Sequence, residues 1–175
     1  MKLKYSKTAC FDDWQVNFST IERIGFIFYS FSIADQQTGS QYQHPDVYLT
    51  ETNAYLSAYF FCLRASLDRQ QQPALLLDLD TGCILSCNLA AYEQLAIDAT
   101  GSPIFDFMPQ LQNSHQLQQM LQQEQISQQT TLLCNADGLV LPCLFEARIA
   151  PYCARWVILC FTTRPLQPSL PLPNP

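Results

Sequence analysis

The stretch "DLDTGCILSCNLAAYEQLA", Asp78 to Ala96, decides how this chain is read. The apolar run "ALLLDLD" leads into it and breaks at Thr81-Gly82. Apolar residues resume as Cys83-Ile84-Leu85-Ser86-Cys87. Two short apolar runs across a tight, Gly-containing turn point to a β-hairpin. Asn88 then stands before "LAAYEQLA", where its side-chain oxygen can accept from a free N–H of a first helical turn. The unit is strand, turn, strand, helix, and nothing in it resembles a catalyst.

Downstream, "IFDFMPQL" reads as a short helical turn. Ten of the 20 residues from Gln110 to Gln129 are glutamine, which by composition alone is low complexity. Leu117, Met120 and Leu121 nevertheless stand at i, i+3, i+4, so the spacing predicts a helix laid on a core. "TTLLCNADGLVLPCLFEARIA" is a hairpin around Ala136-Asp137-Gly138. "ARWVILCFTT" is a last strand, apolar on both faces. The tail, 165–175, holds 5 of the 11 prolines and reads as an extended linker.

Upstream the signals are mixed. Pro45 suits a first helical turn, and Tyr48, Tyr55, Leu56, Tyr59, Leu63 and Leu67 share one broad helical stripe up to Arg69. Phe60 widens that stripe, while Phe61 and Cys62 lie away from it. Pro73 disfavours a helical Gln72 and closes the segment. Within residues 1–44, "IGFIFYSFSIAD" fits a strand with Ile27, Tyr29, Phe31 and Ile33 on one face. It fits equally a helix continuing from "DDWQVNFSTIER", and periodicity does not arbitrate.

Composition narrows the function. The chain has 175 residues, 48% of them hydrophobic, enough for one core with extensions. A net charge of −6 disfavours a nucleic-acid binder, which needs a basic surface to displace counterions. The longest early apolar run, Ile24 to Ala34, falls short of the roughly 20 residues that span a bilayer. A soluble, cytoplasmic protein with reduced thiols is expected.

The order strand, strand, short helices, longer helix, three strands resembles that of a PAS domain. The residues agree: Asp78 ending an apolar strand, Gly82 in the turn, then Ile84, and Asn88 leading into a helix with Ala90 and Ala91. Gly101 before "SPIFDFMP", the Asp-Gly hairpin, the Leu141-Pro142-Cys143 step and "RWVILCFTTR" also resemble the family. The resemblance covers about Pro73 to Arg164. Ala96, where the family often has Gly, and the short "IDATG" segment depart from it.

The resemblance implies an α+β fold: a PAS-like five-stranded antiparallel sheet with helices on one face, here preceded by a long N-terminal helix. The expected organisation is an extension at 1–44, a flanking helix at 45–72, the sensor domain at 73–164 and a tail at 165–175. It also implies a non-catalytic sensory module that binds a small apolar ligand or a protein partner. Leu77, Ile84, Leu95, Phe107, Leu117, Leu121, Cys143, Phe145 and Ile158 are the expected pocket residues. The helix stripe and the outer sheet face would leave an apolar patch, so a homodimer through Tyr48, Tyr55, Leu56, Tyr59 and Leu63 is expected. The alternatives are a haem- or flavin-bearing redox or gas sensor, or the sensor part of a larger transcriptional or nucleotide-signalling regulator.

No cofactor is favoured. Haem-binding relatives place a His on the long helix, where this chain has His115. At ~100° per residue, Leu117, Met120 and Leu121 centre almost opposite His115, which therefore faces away from the cup. The photoactive flavin motif of the family, an Asn-Cys-Arg-Phe type run, does not occur. Cys83 and Cys87 on one strand stand roughly 13 Å apart, too far to share a zinc. Cys134 and Cys143 flank a hairpin, and small buried hydrophobes are the expected role of such cysteines. The only other histidine, His44, sits in a loop, and no nucleophile motif surrounds either one.

Overall fold

The computed structural model describes residues 3–111, 114–121 and 126–163, and the chain divides into two compact units after Ser66. The expected Pro-rich tail and the middle of the glutamine-rich segment, 122–125, lie outside the described residues.

The fold class needs a correction at its N-terminal end. The chain does not open with a long helix but with a four-stranded antiparallel meander. Its strands are β1 (Leu3–Phe11), β2 (Trp14–Arg23), β3 (Phe26–Asp35) and β4 (Gln41–Gln43). The ambiguous "IGFIFYSFSIAD" is thus a strand, and so is "DDWQVNFSTIER" before it. The reason lies in pairing: β2 and β3 match residue for residue, Val16 opposite Ile33 and Phe18 opposite Phe31. Each segment alternates apolar and polar residues, and together they form one apolar face.

The helix follows rather than leads. Helix α1 spans Glu51–Asp68. It starts six residues after the expected Pro45, because Tyr48 is held extended by paired backbone bonds with Tyr29 (2.7 and 2.8 Å). Thr50 then caps, its hydroxyl accepting from the Asn53 N–H at 3.2 Å. Within this unit the aromatic stripe is spent on the meander. Tyr55 stacks on Phe18 (centroids 5.8 Å), Tyr59 packs on Phe11 (5.1 Å), and Tyr48 stacks on Phe31 (5.9 Å).

The second unit is a five-stranded antiparallel sheet. Its strands are β5 (Ala74–Asp78), β6 (Ile84–Cys87), β7 (Ile126–Cys134), β8 (Val140–Ile149) and β9 (Trp156–Thr163). They are ordered β6-β5-β9-β8-β7, so the two hairpins lie at the flanks and the last strand closes the middle. Between β6 and β7 run α2 (Leu89–Leu95), two 3-10 turns (Ile104–Asp106 and Pro109–Leu111) and α3 (Ser114–Leu121). Strand β7 begins at Ile126, earlier than "TTLLC" indicates.

Candidate functional site: the apolar cup

The cup is built from strand alternation on one side and short helices on the other. Leu75 and Leu77 of β5, Val157, Leu159 and Phe161 of β9, and Cys143 and Phe145 of β8 share one buried cluster. Pairing explains it: Leu75 stands opposite Leu159, and Phe145 opposite Phe161. The facing wall carries Ala91 and Leu95 of α2 and Leu117 and Leu121 of α3, each pair four residues apart. Ile104, Phe107 and Met108 fill the gap between these helices. Two backbone bonds tie the walls: Cys134 donates to the Phe107 carbonyl (2.8 Å) and Ala136 to the Leu95 carbonyl (3.0 Å).

Of the expected pocket residues, Leu77, Ile84, Leu95, Phe107, Leu117, Leu121, Cys143 and Phe145 come together in this cluster. Ile158 does not. It stands opposite Leu76 on the other face of the sheet, 4% exposed, while its neighbours Val157 and Leu159 point into the cup. A strand apolar on both faces carries no phase in its sequence; the register with β5 sets it. The side chain of Met120 lies outside the described residues.

His115 is exposed, and its Nε2 is 2.9 Å from the Gln119 side-chain nitrogen. It offers no ligand to a group inside the cup, so the residues present do not fit a haem held through His115. Among the described residues no three His, Cys, Asp or Glu side chains gather as a metal site. Cys143 is buried, and that burial pushes its thiol up to about 11, so it is a neutral thiol at pH 7. Cys134 and Cys143 sit at separate levels of their hairpin, opposite Val140 and Thr131.

The turn that opens the cup is held by Asp78. One carboxylate oxygen accepts from the Asp80 and Thr81 N–H groups (3.0 and 3.1 Å), and the other from Arg155 Nε (2.8 Å). Burial alone would raise the Asp78 pKa. The Arg155 hydrogen bond and charge and the two N–H groups outweigh it and leave the carboxyl below its ordinary 3.8. A lowered folded pKa adds stability above the unfolded value and loses it as pH falls through the folded one. The urea midpoint of Asp78→Asn should therefore lie below that of the unmutated protein by a constant gap from pH 7 to about pH 5. The gap should narrow below 3.8. A gap that ignored acid would show that the charge of Asp78 contributes nothing.

No protein-family model matches the chain, and no curated protein does. Solved structures do. A PAS domain from a two-component sensor histidine kinase is similar over 62% of this chain and 99% of that one, at 11% identity and a TM-score of 0.51. A Rhodobacter sphaeroides LOV protein is similar over 59% of this chain and 66% of that one, at 13% identity and a TM-score of 0.51.

The chain has a PAS-like fold. At these identities the likeness is one of architecture. In it, Asp78, Gly82 and Asn88 are the structural points of the opening hairpin and helix. No helix among the described residues is long and apolar enough to cross a membrane.

Proposed function

We propose that this chain is a cytoplasmic sensory module that binds a small, largely apolar ligand in its PAS cup. It would pass the bound state to a partner, either a second copy of itself or a signalling protein. The observation that carries the reading is the cup wall: eight residues from six separate segments converge on one apolar cluster, with backbone bonds joining the sheet side to the helix side at Phe107 and Leu95. Such a wall suits ligands that need shape and burial more than charge. The 62% overlap with a sensor kinase's PAS domain supports the sensory part of the reading.

The test is a visible absorption spectrum of the purified full chain, together with native mass spectrometry. A colourless protein carrying, or taking up, a small organic molecule is the expected result. A Soret or flavin band would replace this reading with a cofactor-bearing sensor.

Association is the second part of the proposal. Of Tyr48, Tyr55, Leu56, Tyr59 and Leu63, Leu56 is the exposed one, at 39%. Light scattering is expected to report twice the 19.9 kDa monomer, and Leu56→Glu to lower it. A Leu56→Glu protein that stays dimeric would remove this helix face from the interface.

A further inference from the structure

Strand β7 contributes a side chain that an apolar wall does not need. Thr131 stands opposite Cys143 and two residues before Leu133, both members of the cup cluster, so its side chain faces the cup. It is 2% exposed, and among the described residues its hydroxyl has no hydrogen-bond partner. Cys143 in turn stands opposite Thr163, so three weakly polar groups form one row across β7, β8 and β9. The other two are engaged. The Thr163 hydroxyl donates to Gln94 Oε1 at 2.8 Å, and the Cys143 thiol points to the Leu144 carbonyl at 3.5 Å.

A buried hydroxyl without a partner is costly, and valine fills the same shape at a strand position without that cost. The row therefore holds one open donor at the end of an otherwise apolar wall. Among the described residues of this unit the one buried charged side chain is Asp78, already paired with Arg155, so a charged guest in the cup would be buried without a counter-charge. Cys143, a neutral thiol, supplies none.

We infer that the cup takes a neutral, mostly apolar molecule bearing a hydrogen-bond-accepting oxygen, and that the Thr131 hydroxyl donates to that oxygen. This rests on the reading of the cup as a ligand site, and it adds the chemical class and the residue that selects it.

A matched pair of probes tests it. Cyclopentanone carries the oxygen; methylenecyclopentane replaces it with a carbon of similar shape. Both are titrated into the full chain and followed by the NMR signals of the cup methyl groups. In Thr131→Val, cyclopentanone should bind about tenfold more weakly, the 1.4 kcal/mol of one neutral hydrogen bond, with methylenecyclopentane unchanged. Thr131→Ser, which keeps the hydroxyl, should retain the ketone to within about threefold. In the unmutated chain the Thr131 methyl signal should move with the ketone and much less with the hydrocarbon, a readout that survives a variant's failure to fold. Equal ketone affinity in Thr131→Val overturns the inference and leaves the hydroxyl to a structural water, while the cup remains a ligand site. Binding of neither probe, with no movement of any cup methyl, overturns the cup reading and the inference with it.

Discussion

Asn88→Ala is expected to cost about 3 kcal/mol of stability, well beyond the roughly 1 kcal/mol of a lost helix cap. Asn88 is 1% exposed and is a hub. Its side-chain oxygen accepts from the N–H groups of Ala91 and Ala74, each at 3.0 Å. Its side-chain nitrogen donates to the carbonyls of Leu67, Gln70 and Gln72, at 3.2, 3.1 and 2.9 Å. Alanine would strand the Ala74 and Ala91 N–H groups in a buried site and remove the clamp on the three carbonyls, and each stranded buried donor carries its own desolvation cost. Asn88→Asp separates the two roles. Aspartate caps a helix as well as asparagine does. It cannot donate, and its charge would face three carbonyl oxygens. Urea denaturation should therefore find Asn88→Asp at least as damaging as Asn88→Ala. A near-neutral aspartate would reduce Asn88 to a simple cap.

The second large effect is at Gly82. Its φ is +72°, and a Cβ built there would run into the ring edge of Phe105, which packs on the cup cluster. The left-handed backbone costs an L-residue about 1–2 kcal/mol. Displacing the Phe105 ring adds to that, so Gly82→Ala should lose about 2–3 kcal/mol in total. The turn has little room to relax. The Gly82 N–H donates to the Asp78 carbonyl at 2.7 Å, and its own carbonyl accepts from Ile104 at 2.9 Å. In a Phe105→Leu background the clash is gone, and the cost of Gly82→Ala should fall to about 1 kcal/mol. Strict additivity of the two substitutions would show that the ring plays no part.

Much of the second unit is legible in sequence because its signals are local. Gly82 marks a positive-φ turn between two apolar runs, and Asn88 precedes a helix it caps. Leu117 and Leu121 recur at helical spacing, and both are buried on α3. Each of these needs only a few neighbouring residues to take effect. Thr131 was also within reach: counting back by two from Leu133 puts it on the inner face, but a threonine beside a second threonine reads as surface.

What the sequence by itself determined is the set of short-range devices: the Asp78–Gly82 turn, the Asn88 cap, the Asp-Gly hairpin and the amphipathic α3. Tertiary structure decided the rest. The N-terminal segments became strands because β2 and β3 complete each other's apolar face, and neither segment alone says so. Tyr48 stayed extended, and α1 began late, because Tyr29 supplied its backbone partners from a distant strand. Ile158 turned away from the cup because the register of β9 with β5 chose which of two apolar faces looks inward. Strand pairing is nonlocal and side chains alternate with a period of two, so a single residue of register decides what lines the site.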